Sequence, residues 1–209
     1  MGNGERPKRR SMVRSLVPAD FVTLGNAAAG TAALFMCLLY VEEREALPMW
    51  VAIGLFPVAL ACDVLDGFVA RWRGRQSPYG GDLDSLADVI SFGVAPACLA
   101  FALGMRGGWD VLVLIYFVAC GVARLARFNV TASALADERG KVKYFEGTPI
   151  PTSVLLVGVL AVAFGMGEVN DQLWLGGHRL GPWLLHPLVL MYALMGTTMI
   201  SSTLKIPKP

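Results

Sequence analysis

Four aspartates stand where an apolar chain should not carry them. Asp63, Asp66, Asp84 and Asp88 fall within ACDVLDGFVARWRGRQSPYGGDLDSLADVISFG, residues 61–93. By insertion scales each acid costs roughly 2.5 to 3.5 kcal/mol near a bilayer centre, and four like charges add repulsion, so a compensating cation is required. The spacing supplies a geometry. Asp63, Asp66, Gly67, Ala70 and Arg71 follow the i, i+3, i+4, i+7, i+8 stripe of one helix face, and Asp84 and Asp88 are i, i+4 on another. Two such faces can converge on one all-oxygen site, which suits hard cations, and two divalent ions, Mg²⁺ or Mn²⁺, would neutralise four carboxylates. Ions of this kind also take phosphate oxygens. Gly67 and Ala70 remove bulk from the same face, and Arg71 stands where a guanidinium can pair with phosphate. At ~1.5 Å per residue, Asp63 lies ~12 Å along the helix from Arg71, so the site is recessed but reachable.

The elements that must position these groups are membrane helices. The chain has 209 residues, of which 55% are hydrophobic and only 16% charged, with a mean hydropathy of +0.56, a balance suited to a lipid-solvated bundle. Six apolar blocks predict six spans: 21–41, 49–70, 86–104, 111–128, 150–166 and 183–204. The fifth is the shortest. With both termini on the cytoplasmic side, fifteen of the 18 Lys and Arg residues fall in inside segments, and only Arg44, Arg106 and Arg179 lie outside. This predicts a multi-pass protein of the cell membrane whose site opens to the cytoplasm. The five tryptophans fall at or near span ends, where an interfacial belt belongs.

No composition shift divides residues 20–209, which read as one six-span domain behind a basic cytoplasmic tail over 1–19, part of it a candidate interfacial helix. Cys37, Cys62, Cys98 and Cys120 lie inside apolar spans without metal-ligand spacing and read as buried thiols. A net charge of +2 with scattered basic residues argues against a nucleic-acid partner. The absence of two related halves argues against a transporter. A membrane prenyltransferase would need a second acidic cluster in a later span, and every acid after Asp88 sits near a span end or in a loop.

The residues in hand, Asp63, Asp66-Gly67, Ala70-Arg71, Gly80, Asp84 and Asp88 at their separations, resemble the signature of the CDP-alcohol phosphotransferase family, with no position departing from it. The resemblance implies an all-α bundle of six transmembrane helices working as a homodimer, with the signature on helices two and three. It implies transfer from a CDP-activated lipid to a small alcohol. By the same resemblance Asp63, Asp66, Asp84 and Asp88 hold the metals and Asp88 serves as the base. Asp66, Gly67, Ala70, Arg71 and Gly80 receive the CDP moiety.

Three further stretches are similar to the branch of that family that uses serine: Arg124-Leu125-Ala126-Arg127-Phe128-Asn129, Tyr144 to Pro151, and Thr23-Leu24-Gly25-Asn26. They make Thr23, Asn26, Arg124, Arg127 and Asn129 candidate acceptor-binding residues. Arg124 or Arg127 suits the carboxylate of serine, yet the same guanidinium forks suit glycerol 3-phosphate or inositol phosphate. Simple positive-inside anchoring is the alternative for the arginine pair, and a plain helix end for Asn129. Ala19-Asp20 stands where that branch carries Pro-Asn, with Asp20 a candidate N-cap. The sequence leaves open an acyl or an isoprenoid ether donor.

Overall fold

The computed structural model describes residues 16–73, 79–137, 144–201 and 205–207. Most of the expected basic tail, residues 1–15, lies outside them. Six apolar helices follow in order: α1 (Pro18–Glu43), α2 (Ala46–Arg73), α3 (Gly80–Leu103), α4 (Gly108–Asp137), α5 (Ile150–Gly165) and α6 (Pro187–Ile200). Two short antiparallel ribbons complete the described chain. β1 (Tyr144–Glu146) pairs with β4 (Lys205–Pro207), and β2 (His178–Leu180) pairs with β3 (Trp183–Leu185).

The first four helices are long and apolar enough to cross a membrane, whereas α5 and α6 are shorter. At 1.5 Å per residue, α5 and α6 reach only about 24 and 21 Å, against a hydrocarbon core of about 30 Å. Large apolar side chains such as Phe21, Phe35, Leu38, Phe68, Leu155 and Leu194 point out of the bundle. That surface is what lipid, rather than water, solvates. α3 is the central helix, with 67% of its apolar window buried against 33% or less for α1, α2 and α4. α1 lies along α2 and along the whole of α3, α4 pairs with α6, and α5 rests on α3 and α2.

Local chemistry sets the element ends. Val17 occupies the N-cap of α1 with Pro18 after it, and the Asp20 carboxylate accepts the Val17 N–H at 2.8 Å. Asp20 therefore acts from the third helical position and not as the expected N-cap, because Pro18 fixes the helix start two residues earlier. At the other end Arg44 takes the left-handed conformation (φ 60) and donates its N–H to the Tyr40 carbonyl at 3.0 Å. That cap turns the chain straight into α2.

Several expected boundaries move. The third span begins at Gly80 rather than 86, so that Asp84 and Asp88 lie inside its first turns. The sixth begins at Pro187 rather than Trp183, because Trp183–Leu185 pairs as a strand and His186, preceding a proline, is extended (φ −93, ψ 119). The fourth runs on to Asp137, since no Gly or Pro interrupts the chain between Gly121 and Asp137. Arg124 and Arg127 lie within this helix, as in the expected span, and Asn129, beyond that span's end, is helical as well.

Close approach between helices rests on small residues, as it does where no aqueous hydrophobic effect drives helices together. Gly30 of α1 faces Ser91 of α3 so tightly that an added Cβ would collide with the Ser91 Cα at 2.7 Å. At that level α3 departs from regular α geometry. Val89–Val94 forms a π segment immediately after Asp88, a wide turn of the kind that often marks functional sites.

Candidate metal and transfer site

α2 and α3 bring their aspartates together where α2 ends and α3 begins. One carboxylate oxygen from each of Asp63, Asp66 and Asp84 lies within 4.8 Å of the others. Asp66 is buried, while Asp63 and Asp84 are half-buried. Asp88 sits one turn deeper along α3, buried, and within electrostatic reach of Asp63, Asp84 and Asp66. Three oxygens converging in an apolar bundle make a hard donor set, and the buried Asp84 Oδ1 has no hydrogen-bond partner among the described residues. These residues fit a divalent cation.

α1 supplies the wall that orients two of the acids. The Thr23 hydroxyl donates to Asp66 Oδ2 at 2.5 Å, and Asn26 Nδ2 donates to Asp88 Oδ1 at 3.2 Å. The Ala19 carbonyl lies 3.2 Å from the same hydroxyl, but its single proton goes to the nearer, ionisable acceptor. Thr23 and Asn26 are three residues apart and therefore share one helix face, which spans an acid of α2 and an acid of α3. Asn26 is itself tied in place, since the Ser91 hydroxyl donates to its backbone carbonyl at 2.9 Å. The π segment and Gly30 are what let Ser91 come this close.

Arg71 is exposed, and its guanidinium folds back over Gly67, where a Cβ would meet Nη1 at 3.5 Å. The glycine thus floors a shallow shelf with a cation above it. Gly80 opens α3, half-buried. Ala70 falls on the stripe of α2, and its side-chain surroundings lie outside the described residues.

α4 contributes the candidate acceptor residues, and they separate. Arg124 is half-buried, lies within electrostatic reach of Asp88, and has an Nε with no hydrogen-bond partner among the described residues. Arg127 donates from Nη1 to the Ile200 carbonyl at 3.4 Å, at the end of α6. Asn129 Oδ1 accepts from the Ser85 hydroxyl at 3.1 Å, which joins α4 to α3 beside Asp84. The stretch from Tyr144 to Pro151 holds α6. Thr148 bonds Thr198 through backbone and side chain, and Gly147 (φ 75) runs so close to Met199 that a Cβ would strike its carbonyl.

Three serines beside the site were not among the expected residues. Ser85 follows Asp84 directly, and Ser91 lies three residues beyond Asp88 on its stripe, so helical spacing was a signal for both. Ser153, fully buried and with no partner for its Oγ among the described residues, lies in the first turn of α5, which packs on the π segment. Only the packing reveals it.

Comparison with known proteins agrees with this geometry. Residues 16–200 match the family model for CDP-alcohol phosphatidyltransferase. The chain is 45% identical over 204 residues, 95% of its length, to CDP-diacylglycerol–serine O-phosphatidyltransferase of Saccharomyces cerevisiae. It is 30% identical over 189 residues, 89% of its length, to the protein of that name from Mycobacterium tuberculosis. It is also 36% identical over 141 residues, 66% of its length, to archaetidylserine synthase of Methanothermobacter thermautotrophicus. The matched region spans 73% of the yeast protein, 62% of the mycobacterial one and 54% of the archaeal one. The apolar helices, the clustered aspartates with their signature spacing, and a match covering nearly the whole chain converge on one conclusion: this protein belongs to the CDP-alcohol phosphatidyltransferase family.

Proposed function

We propose that the chain transfers a phosphatidyl group from CDP-diacylglycerol to the hydroxyl of L-serine, giving phosphatidylserine and CMP in phospholipid biosynthesis. The observation that carries this reading is the convergence of Asp63, Asp66 and Asp84 within 4.8 Å inside apolar helices, in a chain resembling serine-using relatives. Asp63, Asp66 and Asp84, with Asp88 beside them, would hold two Mg²⁺ or Mn²⁺ ions. What the bound cations supply is polarisation of the diphosphate and neutralisation of charge on the departing CMP. Gly67, Ala70 and Gly80 leave room for the cytidine end, and Arg71 holds phosphate from its place over Gly67.

Asp88 is the base. Its Oδ1 accepts from Asn26, which leaves Oδ2 to take the proton of the serine hydroxyl as the new P–O bond forms and the bond to CMP breaks. Arg124, with a donor that no described residue takes up, binds the serine carboxylate. Arg127 and Asn129 support that wall through Ile200 and Ser85. Thr23 and Asn26 act on the acceptor only indirectly, by orienting Asp66 and Asp88. The chain works as a homodimer in the cell membrane, with residues 1–19 forming a basic tail before the catalytic domain over 20–209. Its termini and the mouth of the site face the cytoplasm, a reading that the distribution of Lys and Arg supports.

The test is CMP release by purified protein with Mn²⁺ or Mg²⁺. A diacyl and an archaeal-type ether CDP-lipid are each offered with serine, glycerol 3-phosphate or inositol phosphate. Serine-dependent release that EDTA abolishes and added cation restores is the expected result. No release with any acceptor overturns the reading.

A further inference from the structure

The end of the bundle opposite the aspartates carries a second polar concavity, of about 880 Å³. It lies where α1 passes into α2 and α3 into α4, roughly 26 Å along α2 from Asp63 at 1.5 Å per residue. Three separate segments contribute arginines to it: Arg44 from the turn after α1, Arg106 from the turn after α3, and Arg179 from β2. These are the three basic residues that the sequence assigns outside the cytoplasm, and all of them converge on one concavity. Asp171 is the one carboxylate among its described lining residues, while Asp110 is buried and Glu42, Glu43 and Glu45 flank Arg44 in sequence without lining it.

The walls are fixed before any ligand arrives. Arg106 donates from Nε to the Phe101 carbonyl and from Nη2 to the Ala102 carbonyl, both at 2.9 Å, and its guanidinium lies 5.5 Å from the Phe101 ring centre. Its Nη1 donors remain for another partner. The backbone of Arg44 is set by its left-handed helix cap. The hairpin carrying Arg179 is pinned twice. Trp109 of α4 donates to the Leu180 carbonyl at 2.9 Å and meets the Trp183 ring edge-on at 5.3 Å. Asp110, fully buried, accepts from the His186 backbone at 2.8 Å and pairs with its ring at 2.6 Å. Trp109 and Trp183 are partly exposed, as tryptophans at headgroup depth are. The concavity therefore opens at the level where lipid phosphates lie.

Guanidinium forks match phosphate oxygens, and three of them around a shared space need an anion. We propose that this concavity binds the phosphate of an anionic lipid headgroup in the leaflet opposite the aspartate site. It is a lipid-binding site separate from the transfer chemistry.

Wild-type protein and the Arg44→Gln/Arg179→Gln variant, which spares the helix-capping Arg106, are placed in nanodiscs containing phosphatidylglycerol and phosphatidylcholine. Retained lipid is then counted by native mass spectrometry. Wild type is expected to keep one more phosphatidylglycerol per chain than the variant, with affinity for it roughly tenfold higher, as loss of two partly exposed ion pairs implies. An Arg44→Lys/Arg179→Lys variant should recover part of that difference. A second arm titrates inorganic phosphate into protein held in zwitterionic detergent and reads its melting temperature. A phosphate-induced rise lost in the Gln variant, with equal phosphatidylglycerol retention by wild type and variant, would reassign the site to free phosphate and overturn the lipid assignment. Equal phosphatidylglycerol retention by wild type and a monodisperse Gln variant, with no such rise, would overturn the site itself.

Discussion

Replacing Thr23 by Val distinguishes a residue that holds the acceptor from one that positions a metal ligand. Sequence resemblance puts Thr23 with the acceptor, whereas its hydroxyl donates to Asp66 Oδ2 at 2.5 Å with both residues buried. Valine keeps the branched shape and removes the donor. A hydrogen bond to a charged group contributes about 1.5 to 3 kcal/mol, which at about 1.4 kcal/mol per decade bounds the effect at roughly 10- to 150-fold. Loss of an outer-shell partner to a metal ligand falls in the same range, about 10- to 100-fold in affinity. The Thr23→Val variant should therefore bind Mn²⁺ about 10- to 100-fold more weakly by calorimetry. It should need correspondingly more cation for half-maximal CMP release, with the KM for serine at saturating Mn²⁺ unchanged. Thr23→Ser, which keeps the hydroxyl, should restore most of the affinity. An increased serine KM with unaltered Mn²⁺ affinity would refute the positioning role and return Thr23 to the acceptor pocket.

Other substitutions probe separate parts of the bundle. Gly30→Ala drives a methyl into Ser91 and should cost ~1 to 3 kcal/mol by overpacking, seen as a lower melting temperature in detergent. Asp110→Ala strands three donors, the Gly107 and His186 backbone N–H groups and the His186 ring. A loss of about 3 to 5 kcal/mol is expected with metal affinity preserved, because the pair lies at the far end of the bundle. Arg124→Gln should raise the KM for serine at least tenfold without changing Mn²⁺ binding. Arg124→Lys should not restore it, because an ammonium lacks the planar fork; an unchanged KM would remove Arg124 from the acceptor site.

The sequence alone determined the membrane character, the helices and the acidic site, because these rest on composition and local period. Apolar blocks near the length of a bilayer core and Asp63, Asp66, Asp84 and Asp88 at helical spacing are legible without coordinates. What a side chain touches across the bundle is not local. Thr23 and Asn26 carried a resemblance to acceptor-binding positions, but only the placement of α1 against α2 and α3 turned them toward Asp66 and Asp88. The π turn after Asp88, which brings Ser91 onto Asn26, obeys no simple period. The sixth span was misjudged at its start because Trp183, Leu184 and Leu185 are apolar enough for a helix, and pairing with His178–Leu180 decided otherwise. Arg44, Arg106 and Arg179 follow the same pattern: charge counting groups them as the basic residues expected outside, and the tertiary fold gathers them around one concavity.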